Sequence, residues 1–158
     1  MGRLFGMSDA EWLTDDEQAA WRALTAVMTQ LPTLMDRQLR EDADLNGFEY
    51  YVLAMLSEAP ERTIQLKTLA EMSNASASRL SHVVTRLEKR GWLTREPSPD
   101  DARASMAVLT DAGWEKIVSS APGHVAEVRR LVFDSLTDRD VADLERVMSK
   151  VREHFGDC

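Results

Sequence analysis

A single cysteine stands in the 158 residues, and it is the last of them, Cys158. No disulfide can form within the chain, which fits a reducing compartment. A redox-sensing thiol is not expected, because a terminal position offers little to stabilise a thiolate. No apolar run approaches the roughly 20 residues that cross a bilayer. The opening "MGRLFGMSDAEW" holds no apolar stretch of the length of a secretory signal. The expectation is a cytoplasmic protein with no membrane partner. Catalytic signatures are missing too: there is no G-x-S-x-G, no phosphate-binding glycine loop and no zinc-spaced cluster. His82, His124 and His154 are far apart, and His154 with Cys158 makes only two potential ligands one helical turn apart. Neither an enzyme nor a cofactor or metal site is expected. Internal repeats and low-complexity tracts are absent as well.

What remains is enough for a folded unit. At 44% hydrophobic residues the chain can bury a core, and its length suits one domain or one compact unit with two lobes. The net charge of −8 argues against a nucleic-acid partner if the chain is uniform, but it is not. Residues 1–50 hold ten acids and four bases, whereas residues 76–95 hold five bases (Arg79, Arg86, Lys89, Arg90 and Arg95) against Glu88 alone. Polyanion binding follows the local field rather than the sum.

Periodicity places the elements. Trp21, Leu24, Met28, Leu31 and Met35 recur at helical steps, so residues 15–40 read as a long helix, with Pro32 expected to kink or break it. Helices follow at 47–58 and 65–73, and after the turn "SNAS" another runs over 77–90 with Ser76 as its N-cap. Gly91 suits a left-handed stop. The period then changes to two in "WLTRE" and in "ASMAVL", a β-hairpin whose tip is "PSPDDAR". Thr110 caps a helix from Asp111, which Pro122 and Gly123 should bend or interrupt. Thr137 opens a last helix carrying Val141, Leu144, Met148, Val151 and Phe155 at coiled-coil spacing. Such stripes at the two ends of the chain suit either an intrachain bundle or a dimer core.

On the helix 77–90, Leu80, Val83, Val84 and Leu87 share one face, and Arg79, His82, Arg86 and Lys89 share the other. Ser76, Ala77, Ser78 and Ser81 keep its first turns slim, as close approach to a major groove requires. Taken alone, such a basic face is equally the wet side of an ordinary helix. Its context is a short helix, a tight turn, this helix and a hairpin, in the order of a winged helix-turn-helix. At the wing tip Arg103 can enter a minor groove, and Asp101 can pair with it as support.

These residues resemble the MarR-type transcription regulators. The likeness runs through Leu69-Ala70, Ser76, Leu87-Glu88-Lys89-Arg90-Gly91, Asp101-x-Arg103 and Leu109-Thr110-x-x-Gly113. It implies a mainly α fold with a small β-hairpin wing: a DNA-binding lobe over 47–113, between dimerisation helices at 1–46 and 114–158. It further implies a homodimer on a pseudo-palindromic duplex and a ligand-responsive repressor. By position, Ser76, Ser78, Arg79, His82 and Arg86 become major-groove candidates and Arg103 the minor-groove candidate. Lys89 and Arg95 become backbone contacts or support. The wing departs from the pattern, with one tip arginine and an added acid at Asp100, which points to weaker minor-groove anchoring. Members of this family commonly release DNA on binding small aromatic acids. Trp21 and Tyr51 are the candidate wall of such a pocket, although aromatics at helical spacing also serve as plain core. The rival class is a winged-helix module that binds protein and no operator.

Overall fold

The computed structural model describes residues 11–99, 101 and 104–157. It divides into two compact units, one ending at Thr33 and the other beginning at Leu34. Helix α1, Asp15–Ala43, contributes to both. Its first turn carries Asp15, Asp16 and Glu17, where carboxylates meet free backbone N–H groups. The Thr14 hydroxyl accepts from the Glu17 N–H at 3.2 Å, and the Thr14 N–H donates to the Glu17 carboxylate at 2.7 Å. The break considered at Pro32 does not occur, because α1 runs through it. Proline deletes one ladder bond, to the carbonyl four residues back. Met28 and Pro32 are both exposed, so the helix passes the proline on its outer side rather than against the core.

The second unit holds α2 (Gly47–Glu58), β1 (Thr63–Gln65), α3 (Leu66–Met72), α4 (Ala77–Lys89), β2 (Leu93–Pro97), β3 (Ser105–Leu109), α5 (Asp111–Val128) and α6 (Asp138–Glu153). Leu39, Leu45, Val52, Leu53, Leu56, Leu69, Val84, Leu87 and Leu93 are at most 1% exposed and form its core. The strands make one antiparallel sheet in the order β1-β3-β2. Strand β1 escapes sequence reasoning, since three residues are too few to show a period of two. Only Ile64, buried between two half-buried neighbours, marks it.

The turn between α3 and α4 is built from local chemistry. Asn74 takes a left-handed φ of 46°, its N–H donates to the Glu71 carbonyl at 3.1 Å, and the Ala75 N–H donates to the Ala70 carbonyl at 3.0 Å. This pair of bonds is a Schellman stop. Two residues later the Ser76 hydroxyl accepts from the Arg79 N–H and starts α4. The far end of α4 repeats the device at Gly91, φ 73°, with Gly91 N–H on the Glu88 carbonyl and Trp92 N–H on the Leu87 carbonyl.

Thr110 then ties this stop to the next helix. Its hydroxyl donates to the Gly91 carbonyl at 2.7 Å and accepts from the Gly113 N–H at 3.0 Å. A Cβ at Gly113 would fall on the Trp92 carbonyl oxygen and come within 2.7 Å of Leu109 Cδ1, so the exit motif requires glycine there. Helix α5 is not interrupted at Pro122 or Gly123. As in α1, the proline is exposed. The departure from regular α geometry comes later, in a π-helical turn at Arg129–Phe133. Helix α6 follows, opened by a Thr137–Asp140 capping box, and none of its residues is buried. No helix among the described residues is long and apolar enough to cross a membrane.

Candidate nucleic-acid interface

Helix α4 buries Leu80, Val83, Val84 and Leu87 and leaves the rest of its circumference to other tasks. With roughly 3.6 residues per turn, Ser78, His82 and Lys89 fall close to one line. All three are exposed. They form the ridge of the helix, with Ser76 and Ala77, also exposed, at its slim start.

The two flanks of that ridge are held by different neighbours. On one side lies the first turn of α2. The Arg79 guanidinium sits over the Phe48 ring, 4.4 Å from its centroid. Arg86 Nη2 lies 2.8 Å from Glu49 Oε1, and the Glu49 side chain is 2% exposed. Only the charge of Arg86 compensates that oxygen, since no hydrogen bond of good geometry reaches it. Glu49 Oε2 accepts from the Asn46 N–H, while Asn46 caps α2 in return. On the other flank Arg95 reaches back from β2. It donates to the Ser81 carbonyl at 3.1 Å and the Thr85 hydroxyl at 2.6 Å, and pairs with Glu88 at 3.7 Å.

The basic residues therefore separate into kinds that sequence alone did not distinguish. Arg95 ties β2 to α4. Arg86 is engaged by a buried carboxylate, although its side chain remains half exposed. Arg79 is held over a ring, and its guanidinium takes no hydrogen bond or ion pair among the described residues. A fourth base, Arg90, clamps α4 to the loop after α1: it donates to the Asp44 carbonyl at 2.6 Å and lies over Trp92. Sequence reasoning missed Phe48, Glu49 and the Arg90 clamp. The spacing Asn46-x-x-Glu49 signals a helix start. It carries no sign that the same carboxylate also meets an arginine from a distant helix.

The turn of α2 that carries Phe48 and Glu49 is itself fixed. The Gly47 N–H donates to Asp36 Oδ1 at 2.8 Å, and Asp36 pairs with Arg40 at 2.6 Å. That backbone bond, with help from Arg40, holds the Asp36 carboxyl below its ordinary range against the opposing effect of burial.

At the wing, Ser98 N–H donates to the Ala104 carbonyl and Ala104 N–H to the Asp101 carbonyl, both at 2.9 Å, which closes the base of the tip. Asp101 is exposed, and its expected partner Arg103 lies outside the described residues. The two aromatic candidates belong to different units. Trp21 is exposed beside a shallow depression of about 490 Å³ shared with Arg22, Thr25 and Thr29. Tyr51 is exposed on α2, and its hydroxyl donates to the Met72 carbonyl at 3.4 Å. Among the described residues no group of three or more acidic, histidine or cysteine side chains could hold a metal ion.

Comparison with known proteins agrees with this geometry. Residues 45–105 match the model of the MarR family. A MarR family transcriptional regulator from Streptomyces coelicolor, solved in complex with DNA, is 43% identical, with a TM-score of 0.87 over 91% of this chain and 94% of its own. AbsC, another such regulator from Streptomyces coelicolor, is 36% identical, with a TM-score of 0.88 over 94% of this chain and 100% of its own. YpoP, an uncharacterized HTH-type transcriptional regulator of Bacillus subtilis, is 28% identical over 80% of this chain and 94% of its own. Identity at this level, sustained over nearly the whole length of two solved regulators of the same fold, shows that the chain belongs to the MarR family of transcriptional regulators.

Proposed function

We propose that the protein is a sequence-specific regulator that binds duplex DNA as a homodimer. The observation that carries this reading is the exposed face of α4, slim and hydroxylated at Ser76 and Ser78 and cationic at Lys89 on its ridge and Arg79 on its flank. One helix of this kind fits a major groove. Arg79 suits a base edge, Ser76 and Ser78 suit phosphate, and His82 offers a ring nitrogen to either. Lys89 adds charge toward the backbone, and Arg103 serves the neighbouring minor groove. The Streptomyces coelicolor relative solved with DNA supports the same partner.

Pairing of two copies is supported by α6, where Val141, Leu144, Val147, Met148 and Val151 are exposed along a helix that buries nothing, with Phe155 exposed just beyond its end. An apolar stripe of that length calls for a partner surface. Two copies would set their reading helices about one duplex turn apart on a pseudo-palindrome. A sedimentation run showing only monomer at micromolar concentration would remove this part of the reading. The regulator is further read as a repressor that a small aromatic acid releases, with the exposed Trp21 and Tyr51 as its recognition surfaces. A thermal-shift and operator-release screen of aromatic acids checks that, and silence across a broad panel removes it.

The reading as a whole is tested by retention of a duplex from the protein's own promoter over a random duplex. Arg79→Ala and Arg103→Ala should each lose preference for the promoter sequence by about ten-fold or more. A wild-type chain that retains neither duplex would favour a winged-helix module that binds protein alone.

A further inference from the structure

We propose that Phe48 is a positioning residue for duplex reading, holding the Arg79 guanidinium in place at the start of α4 before DNA arrives. The inference rests on the reading of α4 as the DNA-contacting helix. It begins from the unequal treatment of two arginines on one flank of that helix. Arg86 meets the α2 turn through a charge, 2.8 Å from a carboxylate oxygen. The contact is an ion pair with a buried carboxylate rather than a hydrogen bond of good geometry. Arg79 meets the same turn through a ring, 4.4 Å from the Phe48 centroid.

A cation is held over a ring by the ring's quadrupole without a carboxylate partner, and the Arg79 guanidinium takes no hydrogen bond or ion pair among the described residues. A guanine edge or a phosphate needs those N–H donors. Two adjacent residues of α2 therefore sort two arginines, one retained by the protein and one presented to a partner.

Phe48 can act this way because it does not move freely itself. It packs against the hydrophobic core. Its helix turn is pinned by the Asn46–Glu49 capping box, with both bonds at 2.9 Å, and by the Gly47 N–H on Asp36 at 2.8 Å. An arginine ordered on such a platform has already surrendered much of its rotamer freedom on folding. An arginine in open water would lose it on binding, at the expense of affinity. The effect belongs to the specific contact. Random duplex is held by charge, which the ring does not alter.

The experiment measures affinity for a promoter duplex and a random duplex by fluorescence anisotropy. The proteins are wild type, Phe48→Leu, Phe48→Met, Phe48→Tyr, Arg79→Ala and the double variant Phe48→Leu/Arg79→Ala. Loss of the ring should weaken promoter binding about five-fold, while random-duplex binding stays within about two-fold. Phe48→Tyr should restore the wild-type value. In the Arg79→Ala background, removing the ring should change nothing further. Equal losses with and without Arg79, or ringless variants that bind as wild type does, would overturn the inference alone. A wild-type chain that binds no duplex would overturn it together with the reading beneath it.

Discussion

Ser76 shows how much one side chain is asked to do. Its hydroxyl oxygen accepts from the Arg79 N–H at 3.2 Å and starts α4, while the residue stays exposed on the surface proposed to face DNA. The cap follows from sequence, because an N-cap is a local device that needs only the next three residues. The roles separate on substitution. Aspartate caps a helix as well as serine, so Ser76→Asp should leave thermal stability within about 0.5 kcal/mol of wild type. The new charge faces phosphate, and duplex affinity should drop at least about ten-fold. Melting curves and anisotropy titrations on the same preparation check this, and undiminished binding would take Ser76 away from the interface. The Glu49–Arg86 pair lies at the other extreme of legibility. The two residues are far apart in sequence, and the basic face drawn on a helical wheel placed Arg86 beside Arg79 with no hint of a buried carboxylate. Arg86→Ala should destabilise the fold by about 1–2 kcal/mol, less than a fully buried pair would lose because the arginine is half in water. Adding Glu49→Gln should recover part of that loss, since the amide can still cap α2 without a stranded charge. A double variant less stable than Arg86→Ala in urea titration would contradict this account.

At the scale of elements, the sequence announces the beginnings and ends that use special residues and conceals the joints between them. Asn74, Ser76, Gly91 and Thr110 mark their turns because each supplies a conformation or a hydroxyl that few residues can. The prolines mislead for the same local reason. Pro32 and Pro122 weigh against a helix, but one missing bond at an exposed proline is not enough to end one that packs well elsewhere. The hydrogen bond from Gly47 to Asp36 crosses between helices and leaves no mark in either. It leaves a mark on acid stability. The Asp36 carboxyl is held below its reference value of 3.8, so its contribution is complete above that pH and disappears as the pH falls through the folded value. Asp36→Asn should therefore be less stable than wild type at pH 6, by about 1 kcal/mol, with the two converging toward pH 2. Urea denaturation across that range gives the comparison; a gap that widens in acid would have the wrong sign.

For the whole molecule, charge is the property that composition hides and distribution reveals. A net charge of −8 would keep most proteins away from DNA, yet the cations of residues 76–95 are gathered on one helix and the strand beside it. The helix-turn-helix and its wing were legible because they rest on short-range signals in a fixed order. Which arginines remain available was not, because that depends on what folds against them: Phe48 leaves Arg79 its donors, Glu49 engages Arg86, and Thr85 with Glu88 engages Arg95. The most direct test is the affinity of the wild-type protein for its own promoter duplex at a series of salt concentrations. If α4 and the wing lie in the grooves, log affinity should fall linearly with log salt, with a slope equivalent to several displaced counterions, and Lys89→Ala should reduce that slope by about one. Binding indifferent to salt, or a slope that Lys89→Ala leaves unchanged, would contradict it.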